Sequence, residues 1–313
     1  VDYYQLRLVL PTTDSATIRS FLARYDGSLV ADRLRGDWLK FLAKNQQWPL
    51  FDGEYPVVVN KDPELTCHIY QRRLDLQDFS VIPDARALWF TSASLPDSCM
   101  PVFQSLIFKG ELPIEDIWAR IRMTLEDGQT GAAMQASRYI SGDQGLDSVD
   151  LNAAAKNPLR YLEDQAGKIR THSDREIALF ALLRLLRNDT DQAFAQWQKI
   201  KDQLTVPDRS YFLAKLGHRA AMRHDARALS WFKEAQNTTQ SYPPSDTVLG
   251  WQVRAALRVQ DWNEVLTTIN RMSPVEQQVD TWRYWKARAL LATGDSLSAN
   301  NILIPLSKEH SFY

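Results

Sequence analysis

The chain has 313 residues, of which 44% are hydrophobic and 24% are charged, the proportions of a folded soluble protein. Its 37 basic and 38 acidic residues leave a net charge of −1, which argues against a surface built mainly to bind nucleic acid. Only 12 glycines accompany ten tryptophans, a composition that disfavours a dinucleotide-binding fold or a β-sandwich. The sequence contains no apolar run of the roughly eighteen residues that a membrane span needs.

The first 150 residues predict helices at irregular spacing. A helix over Asp37–Ala43 is followed by a turn at Asn45–Trp48. Asp127-Gly128 marks a second turn, between predicted helices at Ile117–Leu125 and Ala132–Ile140.

The segment Tyr55–Asn60 is the only strand-like run in the chain, because it contains three consecutive valines. Pro56 and Pro63 make an extended connector at least as good an interpretation, since proline cannot donate to a strand ladder.

Cys67 and Cys99 are the only cysteines. They do not suit a zinc site, because His68 is the only nearby histidine and the spacing is not that of metal ligands. Two interpretations stay open from the residues alone, a disulfide bridge or a pair of buried thiols.

A repeat begins near residue 173. Asp189, Asp225, Asp261 and Asp295 are separated by 36, 36 and 34 residues. Small or aliphatic residues occur four positions before and four positions after each aspartate, at Leu185, Ala221, Leu257, Leu291, Ala193, Leu229, Val265 and Ala299. Each unit therefore predicts a helix, a tight turn at the aspartate and a second helix. Because one helical hairpin cannot bury both faces, the period predicts an all-α solenoid of stacked hairpins, broadly of the tetratricopeptide type.

Helix starts are also signalled by local chemistry, through a capping side chain or an early proline. The predicted starts are Asn157-Pro158, Ser173 with Glu176, Pro207-Asp208, and Ser273-Pro274 with Glu276.

A search for catalytic motifs finds no phosphate-binding loop, nucleophile elbow or metalloprotease motif. The acidic pairs Glu115-Asp116 and Glu126-Asp127 suit helix ends. The five histidines are scattered and predict structural or solvated roles, at His68, His172, His218, His224 and His310. We therefore expect no catalytic, cofactor-binding or metal-ligating residue in the chain.

Arginine outnumbers lysine by 25 to 12. We expect arginines to bridge carboxylates on adjacent helices, and a second interpretation places some on a concave surface that holds an anionic polymer. The tryptophans are expected in the core, with sugar stacking open to any that are exposed.

The last repeat carries a resemblance to a known family. The segment Asp280–Leu291, with its W-R-Y-W run, then Gly294 and the end His310–Tyr313, is similar to the soluble lytic murein transglycosylases of Gram-negative bacteria. Further segments agree with that family's hairpins: Val253–Leu257 with Asp261-Trp262, Ser20–Tyr25, Leu34–Leu39 and Gln47-Trp48. Some members carry a cysteine pair where Cys67 and Cys99 fall, so the resemblance favours the disulfide.

The resemblance implies a specific organisation. In that family an N-terminal superhelix of hairpins, often closed into a ring, precedes a linker domain and a lysozyme-like catalytic domain. The catalytic domain cleaves the MurNAc–GlcNAc β-1,4 bond and leaves a 1,6-anhydro ring. Its E-S, G-L-M-Q and A-Y-N-A-G motifs do not occur in this sequence. We therefore expect residues 1–313 to be the superhelical domain, incomplete at the N-terminus, irregular over 1–150 and regular over 173–313, with the linker and catalytic domains absent.

The resemblance also implies a place and partners. It predicts a periplasmic protein that meets peptidoglycan glycan strands, with cell-wall synthesis proteins as a second class of partner, and no nucleic acid. The competing hypothesis is a cytoplasmic tetratricopeptide-type adaptor that binds peptides in its groove.

Overall fold

The computed structural model describes residues 2–237 and 242–309, and in these ranges the chain forms α-helices and short 3-10 turns but no strand. The all-α prediction is confirmed. The predicted terminal motif His310–Tyr313 lies outside the described residues. The chain forms two compact units, which divide between Gly145 and Leu146.

The first unit contains helices of uneven length, α1 to α9. In chain order they are Asp2–Val9, Ser15–Arg24, Leu29–Lys44, Trp48–Glu54, Pro63–Asp75, Ile82–Trp89, Met100–Phe108, Ile114–Glu126 and Thr130–Ser137. The core of its first half surrounds α3, where Leu34 and Trp38 pack with Phe51 and Leu65. The predicted turns after Ala43 and at Asp127-Gly128 are confirmed, although α9 ends three residues before the predicted Ile140.

The valine-rich run forms a connector. Tyr55–Val57 is a short 3-10 turn, Val58 after it is extended, and no strand occurs among the described residues. The backbone N–H groups of Val59 and Asn60 donate to Asp32 at 2.8 and 3.0 Å. Burial alone would raise the pKa of Asp32, but these donors outweigh it and hold the pKa below its ordinary value.

The second unit contains helices α10 to α20. They are Ser148–Lys156, Pro158–Gln165, His172–Asn188, Thr190–Ile200, Val206–Met222, Ala228–Gln236, Asp246–Arg258, Trp262–Asn270, Pro274–Gln277, Asp280–Ala292 and Ser296–Leu306. Four hairpins (α12/α13, α14/α15, α16/α17 and α19/α20) turn at the four predicted aspartates. The repeat predicted from the sequence is therefore present as structure.

Three of the four turn aspartates cap the second helix of their hairpin. Asp189, Asp261 and Asp295 each accept the backbone N–H three residues later, at 2.9 to 3.1 Å. Asp225 differs because α15 starts three residues after it. Its carboxylate instead accepts the backbone N–H and the guanidinium of Arg227.

One predicted helix start is wrong by two residues. The capping box of α12 is formed by Thr171 and Asp174, not by Ser173 and Glu176. Ser173 and Glu176 have the same spacing, but both lie inside the helix with buried side chains, and Glu176 contacts His172. The starts at Asn157 and Ser273 are confirmed, and Thr205 caps the helix that contains Pro207-Asp208.

Seven helices of the described ranges end with the same backbone geometry. A residue with positive φ follows each helix, at Gln46, Gln77, Gly110, Gly128, His224, Gln260 and Gly294. At Gln260, for example, its N–H donates to the Leu257 carbonyl at 3.2 Å and the next N–H donates to Ala256 at 3.0 Å. This is the Schellman motif, which favours glycine at the left-handed position. Four of the seven positions nevertheless hold glutamine or histidine.

We expect Gln260→Gly to raise the free energy of unfolding by about 0.5–1 kcal/mol, because glycine adopts positive φ without steric cost. Urea denaturation would show this gain as a higher midpoint, with an unchanged dependence of the unfolding free energy on urea concentration. As a matched control, Ala195→Gly at an exposed position in the middle of α13 should instead lower stability by about 1 kcal/mol. A loss of stability in both variants would contradict the assignment of strain to the turn.

Polar contacts join successive hairpins near their turns. The Arg219 and Arg223 guanidinium groups donate to the carbonyl of Arg187 at 2.7 and 3.0 Å, in the final turn of α12. Arg227 pairs with Asp191 of the preceding hairpin at 2.6 Å. The expected arginine bridges between helices are therefore present, partly to carbonyl oxygens rather than to carboxylates.

Two helical glycines mark close approaches between helices. A Cβ atom added at Gly217 would lie 2.9 Å from the ring of Phe232, and one at Gly250 would lie 2.9 Å from Trp282. Both rings are buried. The absence of a side chain thus sets how closely these helices pack.

Candidate functional site

Acidic residues, histidines and cysteines do not converge in the part of the chain that the structure describes. Within residues 2–237 and 242–309, no three of them gather as a metal site would require. No helix in the same ranges has both the length and the apolar character needed to cross a membrane. Glu115 and Asp116 lie in the first turn of α8, where Asp116 pairs with Arg86.

The histidines lie apart from one another. His68 is on α5, His172 lies 3.1 Å from the buried Glu176, His218 lies beside the Trp251 ring, His224 occupies a left-handed turn, and His310 is outside the described residues. They form no common centre among the described residues.

Most of the tryptophans are core residues. Six are buried: Trp38, Trp89, Trp118, Trp197, Trp231 and Trp282. The other four are half-buried: Trp48, Trp251, Trp262 and Trp285. Arg254 lies 5.0 Å from the centroids of both Trp251 and Trp282. The expected core position is therefore found for the six buried tryptophans, and the other four are only partly covered.

A disulfide joins Cys67 and Cys99. Cys67 lies in α5 and Cys99 immediately precedes α7, with 4.8 Å between their Cα atoms. Both side chains are at most 1% exposed. The hydroxyl of Ser98 also donates to the Glu64 carbonyl, at 3.3 Å. The bridge therefore fixes the loop before α7 against α5, inside the first unit.

His68 is buried beside the disulfide and is 6% exposed. Neither ring nitrogen has a hydrogen-bond partner among the described residues. Burial lowers the pKa of His68 below its ordinary value, opposed by the negative charge of Glu64 and assisted by Lys44.

We expect stability to fall as the pH is lowered below about 6.5, the ordinary histidine pKa. Because the folded-state pKa of His68 is depressed, the unfolded chain binds the proton first, and protonation favours unfolding until the folded-state pKa is reached. Urea midpoints measured from neutral to mildly acidic pH would give the slope. His68→Phe should flatten this slope. If the urea midpoint of His68→Phe falls with pH as steeply as that of the unaltered protein, His68 is not the cause of the pH dependence.

A small cavity in the first unit is a candidate site because a buried charged side chain lines it. It has a volume of about 50 Å³, lies between α7, α8, α9 and the loop that precedes α7, and opens to the surface. Its walls include the aromatic rings of Trp89, Phe103 and Tyr139, the disulfide-bonded Cys99, and Arg120. Trp89 lies 4.9 Å from Phe103 and 5.3 Å from Tyr139, between ring centroids, in edge-to-face contacts. The aromatic walls are thus rigidly packed.

Arg120 is the charged group of this cavity and is 1% exposed. Its guanidinium donates to the carbonyls of Trp89 at 2.7 Å and Ala93 at 3.1 Å, and lies 4.6 Å from the Trp89 ring centroid. Burial lowers the pKa of Arg120 to about 10 and raises the pKa of Tyr139 to about 12. The guanidinium therefore stays charged at neutral pH.

The loop that covers this cavity is held by Gln135 of α9. The Gln135 side chain accepts the Leu95 N–H at 3.0 Å and donates to the Leu95 carbonyl.

The sequence patterns did not single out Arg120. One sequence signal could have indicated that Arg120 is buried. It lies three residues after Ile117 and one before Ile121, on the apolar face of α8.

Comparisons with known proteins agree with the fold. No protein-family model matches the chain. The soluble lytic murein transglycosylase of Escherichia coli K12 is 24% identical over 323 residues, which covers 100% of this chain and 48% of that protein. The chain thus spans about half the length of the curated relatives it matches.

Two solved structures resemble it throughout. The lytic transglycosylase Slt of Pseudomonas aeruginosa, in an inactive mutant form, has a TM-score of 0.66 and 23% identity, covering 100% of this chain and 50% of that one. The 70-kDa soluble lytic transglycosylase in complex with bulgecin A has a TM-score of 0.59 and 21% identity, with the same coverage. The resemblance seen in the sequence motifs is therefore confirmed.

Proposed function

We propose that this chain is the superhelical scaffold of a periplasmic lytic transglycosylase that cleaves the MurNAc–GlcNAc β-1,4 bond of peptidoglycan. In this proposal the scaffold positions glycan strands or partner proteins and performs no cleavage itself. The observation that carries it is the extent of the similarity: the whole chain matches about half of a murein transglycosylase. Stacked helical hairpins offer long surfaces of the kind that bind extended ligands.

The residues support a non-catalytic role for this segment. Cleavage of a glycosidic bond needs a carboxyl group that can reach the glycosidic oxygen. Glu176, the most buried glutamate among the described residues, is 2% exposed and contacts His172, which removes this one residue as a candidate for that carboxyl group. The sequence also lacks the E-S motif of the family.

The experiment is digestion of purified murein sacculi, followed by mass analysis of the released fragments. We expect residues 1–313 alone to sediment with sacculi and to release no 1,6-anhydro-muropeptides. The product of the complete gene should release them. Anhydro-muropeptides from residues 1–313 would refute the scaffold assignment, and failure to sediment would remove glycan as the partner.

The cytoplasmic adaptor hypothesis is distinguished by the state of the two cysteines. A structural disulfide persists in oxidising compartments and is rare in the cytosol. We expect alkylation in denaturant, without reductant, of the protein from its native cells to leave Cys67 and Cys99 unmodified, because denaturation exposes free thiols but does not break a disulfide. Alkylation of both thiols would favour the adaptor.

A further inference from the structure

The scaffold role does not account for the cavity beside Arg120. The structure describes two buried arginines, Arg35 and Arg120. Arg35 is 9% exposed and lies 3.6 Å from the carboxylate of Glu54. Arg120 is more deeply buried, yet no carboxylate among the described residues pairs with it. A buried charge without a counter-charge is energetically costly, so Arg120 differs from Arg35 in a way that needs an explanation.

The groups that do contact Arg120 carry only partial charges. Two are backbone carbonyls, of which that of Trp89 belongs to the last residue of α6, and the third is the Trp89 ring. Its Nε has no acceptor among the described residues. Carbonyls at a helix C-terminus stabilise a cation but do not neutralise it. The positive charge therefore remains available to an anion in the adjoining cavity.

The cavity has the size and lining for a carboxylate. Its volume of about 50 Å³ has room for about four water-sized groups, the size of acetate. The walls beside Arg120 are the rings of Trp89, Phe103 and Tyr139, which suit a short apolar tail. Tyr139 lines the same cavity, and its hydroxyl can donate to a carboxylate oxygen.

We propose that this cavity is a binding site for the carboxylate group of a small organic acid or short peptide, with Arg120 as its counter-charge. The proposal does not depend on the scaffold role. The exposed Asp97 and Arg138 lie at the rim of the same cavity, outside the proposed contact with the carboxylate.

The test follows the side-chain Nε–H signals of the arginines by NMR during titration at constant ionic strength. N-acetylalanine is the probe, and its uncharged amide is the matched control. We expect the Arg120 signal to shift with a Kd on the order of 1 mM, and the amide to bind at least about tenfold more weakly. Equal binding of the two compounds, or no saturable shift, would overturn the proposal and leave a cavity that holds only water.

Two variants locate the site. Arg120→Lys keeps the charge but removes the planar fork, and it should weaken binding of the acid by about tenfold or more. Arg138→Gln at the rim should change binding by less than about twofold. Full binding by the Arg120 variant, or loss only in the Arg138 variant, would place the contact elsewhere and refute the proposal. If the lysine variant does not fold, as circular dichroism would show, the comparison of acid with amide in the unaltered protein decides alone.

Discussion

Replacing both Cys67 and Cys99 by alanine is expected to lower the free energy of unfolding of the first unit by about 4 kcal/mol. The cysteines are 32 residues apart in sequence, and the bridge removes the entropy of that loop from the unfolded chain. Both positions are also buried, so the smaller side chains leave some space unfilled. The loss should be concentrated around α5 and α7, which the bridge connects.

Hydrogen exchange read by mass spectrometry would measure this effect locally. We expect exchange in α5 and α7 to accelerate in the double variant, while exchange in α14 and α16 of the second unit stays unchanged. Adding reductant provides the control: it should reproduce the effect in the unaltered protein and do nothing further to the variant. A change below about 0.5 kcal/mol would show that the bridge contributes little to stability.

Gly217→Ala is expected to destabilise the second unit by about 2 kcal/mol, although alanine is the better helix former by about 1 kcal/mol. The new methyl group would lie 2.9 Å from a carbon of the Phe232 ring, well inside contact distance. Because Phe232 is 1% exposed, its ring has no free space into which it can move. The helices α14 and α15 must therefore separate.

The chain offers matched controls for this substitution. Gly53 and Gly131 are helical and exposed, and an added Cβ would meet nothing within 4 Å. Gly53→Ala and Gly131→Ala should therefore raise stability by about 0.5–1 kcal/mol. Combining Gly217→Ala with Phe232→Leu should cost less than the sum of the two changes, as a double-mutant cycle would show. Equal gains at all three glycines would contradict a tight contact at Gly217.

The repeats could be predicted because the aspartates at their turns mark the start of a helix through short-range sequence signals. An aspartate that caps the following helix is a signal within four residues, and its recurrence fixes the period. The first unit uses the same helix ends, but Gln46 and Gln77 hold the left-handed positions, where glycine would have been recognised. Its helices also vary from 7 to 16 residues, which removes any period.

The candidate cavity could not be derived from sequence for a different reason. Arg120, Gln135 and Cys99 line the cavity but belong to three separate segments. No short-range sequence pattern indicates that they are neighbours in space. The same limit explains the error at α12: Thr171-Asp174 and Ser173-Glu176 have equal spacing, and only the direction of the core decides which pair caps the helix.

The position of the disulfide bears on the order in which the chain is completed. Both cysteines, and every residue that lines the cavity beside Arg120, precede the boundary at Gly145. A chain that emerges N-terminus first can therefore oxidise the bridge before any of the aspartate-marked hairpins exists. None of those later hairpins brings a thiol that could form a wrong bridge, since residues 146–313 contain no cysteine. Because Cys67 and Cys99 are the only two cysteines of these 313 residues, no competing bridge within them can form at any stage of synthesis.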